Sequence, residues 1–138
     1  MQVMLEAFGM DEKANLPASL GFAGGIGRTQ DVCGALTGGI IAIGMDSGRK
    51  LEKFDDAWAR SSRLSRKLYR EFEKAFGSAT CVNLVGPILT DKEIMEVWRE
   101  HGLLKSHCYK YCEWVVSTLV EWDEKGEGDT EATGKAKG

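Results

Sequence analysis

The chain has 138 residues, of which 43% are hydrophobic and 28% are charged, and its formal net charge is −3. This length suits one domain with a buried core, and so small a net charge gives no reason to expect nucleic acid or an anionic membrane as a partner. No apolar run approaches the ~20 residues that a membrane span needs. The start of the chain lacks a basic segment followed by an apolar one, so we expect no signal peptide and a cytoplasmic location.

The hydrophobic pattern is helical almost throughout, with no convincing strand alternation and no internal repeat. We therefore predict an all-α fold, a compact bundle of about five to six helices. Residues 1–122 are expected to form a single domain, and the charged, glycine-rich residues 123–138 a disordered tail. The main helices are predicted over residues 1–9, 29–44, 48–76, 90–102 and 103–122.

The longest of these helices, over residues 48–76, shows two distinct faces. Its apolar stripe is expected to face the core and consists of Leu51, Phe54, Trp58, Leu64, Leu68, Phe72 and Phe76. Its basic face consists of Arg60, Arg63, Lys67, Arg70 and Lys74. Because acidic residues interleave with this face and no aromatic residues are spaced for base stacking, we interpret it as solvated rather than as a nucleic-acid surface.

Residues 21–44, GFAGGIGRTQDVCGALTGGIIAIG, contain a glycine-dense loop that leads into a helix. Thr29 is a good N-cap, which would place Cys33 in the first turn. The exposed N–H groups and partial positive charge of a helix N-terminus favour an anionic sulfur at that position. Glycines inside the helix, at 34, 38 and 39, each lower its stability by about 1 kcal/mol relative to alanine, which suggests that another backbone approaches closely.

The loop itself has two interpretations. Gly24, Gly25, Gly27 and Arg28 could form a phosphate-cradling, cofactor-binding turn before a helix. The loop lacks the preceding strand of a Rossmann unit and the Lys-Ser/Thr of a P-loop, so a tight connection without a ligand explains it as well. Arg28 would either stabilise a thiolate at Cys33 or cap a neighbouring helix.

Four cysteines in a cytosolic chain of this size indicate metal binding or redox chemistry before a structural disulfide framework; the alternative is four small buried hydrophobic residues. Cys81 is predicted at the first position of a short helix, after Thr80. Cys108 and Cys112 lie one turn apart on the inner stripe of the last helix, a spacing that can hold a metal but is poor for a mutual disulfide. Both histidines are expected at the surface, so no Cys–His protease is predicted.

The segments GGIGR, VCGALTGG, FGSATC and a late CYKY resemble the small proteins named for a C_GCAxxG_C_C cysteine pattern. The resemblance runs over about residues 2–122. It implies a helical, redox-active protein of a family found largely in anaerobes, with a poorly defined function. A related module occurs in split-Soret-type cytochromes, where an iron–sulfur or other metal role has been considered; the absence of CxxCH means that no haem is implied here.

By this resemblance, Cys33, Cys81 and Cys108 match the family cysteines, and Cys112 is an addition. A further early cysteine of the family would fall just before Met1. Either the start is trimmed or this protein has lost that thiol, in which case Cys112 would substitute for it.

Three functions therefore stay open. In the first, Cys33 is an activated thiolate with Cys81 or Cys108 as its resolving partner, which would make the chain a thiol oxidoreductase with a redox partner protein. In the second, these three cysteines and Cys112 bind zinc or an iron–sulfur cluster. In the third, the chain is a non-catalytic interaction module, such as a homodimer packed through the glycine face. The two thiols at helix starts favour the first.

Overall fold

The computed structural model of the chain describes residues 8–86 and 99–127, together with Met4, Glu6, Lys92 and Glu96. These residues form five α-helices and one 3-10 helix, and they contain no strand beyond an isolated bridge. The all-α prediction is thus confirmed. The helices are α1 (Glu12–Asn15), the 3-10 helix (Leu16–Phe22), α2 (Gly34–Lys50), α3 (Phe54–Phe76), α4 (Cys81–Val85) and α5 (Leu103–Glu124).

Three sequence predictions fall largely outside these residues: the helix over 1–9, the helix over 90–102 and the tail. Of the first segment, the structure describes Met4, which is almost completely buried. The last helix continues to Glu124, two residues beyond its predicted end. None of the described helices is long and apolar enough to cross a membrane.

The core lies where α2 packs against α3 and α5. Each fully buried aliphatic or aromatic side chain there stabilises the fold by about 1.5–3 kcal/mol. At one end of the core, the rings of Phe72, Phe76, Tyr111 and Trp114 pack with centroids 4.8 to 5.9 Å apart. The main buried residues of the three helices are Leu36, Ala42, Ile43, Leu64, Leu68, Phe72, Tyr111, Val115, Leu119 and Trp122.

The predicted boundary between α2 and α3 is wrong. Helix α2 does not stop at Gly44 but continues to Lys50, and it ends where Leu51 takes up extended backbone and donates its N–H to the carbonyl of Ser47. Helix α3 therefore begins at Phe54. The apolar stripe is confirmed in the later turns of α3, but Phe54 and Trp58 in its first turns are 79% and 65% exposed.

The prediction that Arg60 belongs to a solvated basic face is also wrong. Arg60 is 8% exposed, and its guanidinium bonds Asp46 Oδ2 at 3.0 Å and Ser47 Oγ at 2.8 Å, both on α2. A buried charge is tolerated when it is paired and hydrogen-bonded. This contact fastens α3 to the last turns of α2.

The close approach inferred from the helical glycines is made by backbone at Gly34, where a Cβ would lie 3.1 Å from the Phe22 carbonyl oxygen, and by side chains at Gly39. A Cβ built there would lie 2.6 Å from Val115 Cγ1 and 3.0 Å from Leu68 Cδ2. We expect Gly39→Ala to lower the free energy of unfolding by about 1–3 kcal/mol, because it overpacks the meeting point of three helices. The matched control is Gly48→Ala in the same helix, where a Cβ meets nothing within 4 Å.

Urea unfolding of both variants measures the difference. The control should be neutral or stabilising by about 0.5–1 kcal/mol, since alanine has the higher helix propensity. Equal effects of the two substitutions would contradict this packing.

Candidate functional site

Two segments far apart in sequence pair next to the start of α2. Residues 30–33 run alongside residues 79–82, with an antiparallel bridge between Val32 and Thr80. The Cys33 N–H donates to the carbonyl of Ala79 at 2.8 Å, and the Cys81 N–H donates to the carbonyl of Asp31 at 2.7 Å. These main-chain bonds place two cysteines side by side.

Cys33 is the N-cap of α2, not a residue of its first turn as predicted from Thr29. The reason is that the pairing of Val32 with Thr80 keeps the chain non-helical through Cys33, so the helix cannot begin until Gly34. Burial raises the pKa of the Cys33 thiol, and the N–H groups of Ala35 and Leu36 oppose that rise, although no capping hydrogen bond forms. The prediction of Cys81 at the start of a short helix, with Thr80 as N-cap, is confirmed.

The glycine loop adopts a left-handed conformation. Residues 24–28 all have positive φ, including the non-glycine residues Ile26 and Arg28, at 60° and 69°. Gly25 is needed for contact as well as for conformation, because a Cβ there would lie 2.7 Å from two backbone atoms of Asp31 and 2.9 Å from Cys81 Cβ. The loop is therefore packed directly against the segment that carries the cysteines.

Two side chains that the sequence did not single out hold α4 in place. Gln30 is 7% exposed, and its Nε2 donates to the carbonyl of Gly86 at 2.7 Å. The Tyr111 hydroxyl on α5 donates to the carbonyl of Leu84 at 3.1 Å. No local pattern marks either residue, since each acts on a distant main-chain group.

A cavity of about 300 Å³ lies between the loop, the start of α2, α4 and α5. All four cysteines line it, and so do Gly24, Gly25 and Arg28 of the predicted cofactor loop. Gly27 does not line the cavity. Cofactor binding by the loop stays a prediction. The remaining lining is mainly apolar: Ala23, Gly34, Ala35, Leu84, Val85 and Tyr111.

The four cysteines are free thiols with a gradient of exposure. Cys33 and Cys81 are buried, Cys108 is half-buried and Cys112 is exposed. The prediction that Cys108 and Cys112 lie on the inner stripe of α5 is wrong, because the buried side of that helix carries Tyr111, with Val115, Leu119 and Trp122 in later turns. Both cysteines lie beside this stripe and reach the cavity instead.

Burial raises the pKa of all four thiols. For Cys33, desolvation outweighs the opposite influence of the two N–H groups, and Arg28 is not among the groups that shift its pKa. For Cys108, burial followed by the charges of Cys81, Cys33 and Cys112 raises the pKa to about 11. The expected stabilisation of thiolates at helix starts is thus outweighed by burial, and the thiols are neutral at pH 7.

The cavity does not have the arrangement of a ready metal site. Among the described residues, no three Cys, His, Asp or Glu side chains are positioned to hold a metal ion. Zinc or iron–sulfur binding by the four cysteines stays a prediction.

Comparison with protein families gives one match, over residues 1–122, to the family described as "Putative redox-active protein (C_GCAxxG_C_C)". The chain belongs to this family, as the resemblance of its motifs predicted. No curated protein and no solved structure matches the sequence. The family description agrees with a site made of free thiols.

Two substitutions separate the effect of the loop's contact with Cys81 from the effect of the loop's left-handed conformation. Gly25 and Gly27 both have positive φ, but a Cβ at Gly27 meets nothing within 4 Å. We expect Gly27→Ala to cost about 1 kcal/mol for the strained conformation alone. Gly25→Ala should cost about 2–4 kcal/mol, because a steric clash is added, and it should speed the alkylation of Cys81.

Urea unfolding and peptide mass mapping of iodoacetamide-treated protein measure these two effects. Equal stability losses, with Cys81 equally protected in both variants, would show that the loop does not pack against the cysteine segment.

The raised thiol pKa values also predict how stability depends on pH. A thiol that titrates at about 11 when folded and near 9.0 when unfolded keeps its proton longer in the folded state, so stability falls as the pH rises from about 9 to 11. We expect urea unfolding to show a smaller loss between pH 8 and pH 10 for Cys108→Ala than for the wild type. Identical losses would contradict the assignment.

Proposed function

We propose that the protein is a dithiol–disulfide redox protein whose working groups are the thiols of the cavity. The observation that supports this most is that four free thiols, drawn from three separate parts of the chain, line a single cavity. Membership of a family described as redox-active agrees with the proposal.

Cys33 is the best candidate for the nucleophile. Burial raises the pKa of this thiol, but backbone N–H groups oppose the rise, and they do so for none of the other three cysteines. Since a thiolate and not a thiol attacks a disulfide, these N–H groups stabilise the reactive form at this sulfur in preference to the others.

Cys108 is the best candidate for the resolving thiol. Its pKa responds to the charges of all three other cysteines, whereas that of Cys81 responds to Cys33. Cys108 therefore lies within electrostatic reach of each sulfur in the cavity. Its half-buried position on α5 also leaves it freer to move toward Cys33 than Cys81, which is fixed by main-chain hydrogen bonds.

The reaction balances as a two-electron oxidation. The Cys33 thiolate attacks one sulfur of an external disulfide, and the other sulfur leaves as a thiolate. Cys108 then loses its proton and attacks the Cys33 sulfur of the mixed disulfide, releasing the second thiolate. The protein ends as a Cys33–Cys108 disulfide, and the oxidant ends as two thiols after taking up two protons.

The two other functions have less support. Metal binding would need three or more ligands in position, and the described residues provide no such group. A homodimer through the glycine face loses its main argument, since Gly39 is covered by Val115 and Leu68 of the same chain.

The test is to oxidise anaerobically purified, reduced protein with an excess of a small disulfide, then count free thiols and map disulfides by peptide mass. We expect the wild type to lose two thiols to an intramolecular Cys33–Cys108 disulfide without retaining the reagent. Cys108→Ser should trap the reagent as a mixed disulfide on Cys33, because the resolving thiol is missing. The matched control on the same helix, Cys112→Ser, should still form the disulfide.

Retention of all four thiols in the wild type would overturn the proposal. If the anaerobically purified protein contains metal and absorbs visible light, the metal-binding function replaces the proposed one.

A further inference from the structure

The cavity is shaped for a small molecule rather than for a protein loop. Its volume of about 300 Å³ lies at the lower end of the range for small-molecule sites. Cys33 at its inner end is 8% exposed, so the disulfide of a folded partner could not line up with this sulfur without opening the cavity. The thiol chemistry proposed above thus points to an oxidant small enough to enter.

The residues that line the cavity indicate the chemical character of that oxidant. Apart from the four thiols, the groups that line it are apolar side chains and glycine backbone, with the single exception of Arg28. Leu84, Val85 and the Tyr111 ring form an apolar wall on the side of α4 and α5. A ligand that replaces water against this wall must itself be largely apolar.

Arg28, an exposed residue, adds one positive charge to the lining. Its backbone is held at a φ of 69°, with its N–H donating to the carbonyl of Ala23 at 3.1 Å. No ion pair joins it to any residue in the part of the chain that the structure describes. The guanidinium is always charged, and it matches carboxylates in geometry.

We propose that the cavity takes a small organic disulfide with an apolar body and one acidic group, and that this acidic group pairs with Arg28. The proposal rests on the proposed function, since the disulfide is the oxidant of the reaction above. The acidic group would anchor the ligand at Arg28 while the apolar body directs its sulfurs inward to Cys33. The bonds formed and broken are those already given, with the ligand leaving as two thiols.

Two matched reagents test the charge preference: 3-(2-pyridyldithio)propanoic acid and its primary amide. They share an apolar pyridyl disulfide, and the first attack of either releases pyridine-2-thione, which is followed by absorbance. Each rate on the reduced full-length protein is divided by the rate of the same reagent with the neutral thiol N-acetylcysteine amide, which removes intrinsic reactivity. We expect saturation with the acid and a normalised rate about five- to tenfold higher than with the amide, as one charge-assisted hydrogen bond at an exposed residue would give.

Substitutions identify the residue responsible. Arg28→Gln should bring the acid-to-amide ratio to about one, and Arg28→Lys should keep most of it. Lys110→Gln should leave the ratio unchanged, since Lys110 acts on Cys108 but does not line the cavity. If Arg28→Gln does not fold, as judged by helical circular dichroism, the ratio in the wild type and in Arg28→Lys decides.

A ratio near one in the wild type, or the same ratio in wild type and Arg28→Gln, would overturn this inference. It would leave the proposed function intact as long as the intramolecular disulfide still forms. Conversely, an acid preference that depends on Arg28, with mixed disulfides alone as products, would support the ligand class and reject the dithiol mechanism.

Discussion

The main-chain pairing of residues 30–33 with residues 79–82 is the constraint on which the site depends. It joins segments nearly fifty positions apart, and each of its hydrogen bonds involves a residue at or beside a cysteine: Cys33 to Ala79 and Cys81 to Asp31. The same pairing keeps the chain non-helical through Cys33, so that Cys33 becomes the N-cap of α2. Because the backbone makes these bonds, they hold the main chain of both cysteines in place. The thiol groups themselves stay available for reaction.

The cavity sets two opposing influences on its sulfurs. Removal from water favours the neutral thiol, and the N–H groups at the start of α2 favour the thiolate at Cys33. For Cys33 the first influence is the larger, so the pKa of this thiol is raised despite the N–H groups.

The sequence allowed much of the fold to be predicted, because helical periodicity over α3 and α5 reflects real burial at Leu68 and Val115. The prediction from sequence is wrong where tertiary contacts determine a helix boundary or the burial of a side chain. The predicted start of α2 is too early because Arg28 and Gln30 adopt positive φ, a conformation that is uncommon for arginine and glutamine. The prediction for Arg60 is wrong because its partner, Asp46, lies on another helix. The hydrophobic pattern of a single helix cannot indicate such a contact.

The site was predicted in part. The motif resemblance singled out Cys33, Cys81 and Cys108, and the structure brings these three and Cys112 to one cavity. The thiol states could not be predicted, since helix position is local whereas desolvation depends on how Tyr111 and α4 close the cavity. Gln30, which holds the end of α4, offered no signal at all in the sequence.

Convergence of the sulfurs is the central claim, and titration of the native, reduced protein with phenylarsine oxide tests it most directly. A trivalent arsenical is retained only where two thiols can bind the same arsenic atom, so native protein should bind it stoichiometrically with the loss of thiols in pairs. The complex should survive a monothiol and be reversed by a dithiol. Failure of the native protein to retain the reagent, while all four thiols react with a monofunctional reagent in urea, would show that the sulfurs do not meet.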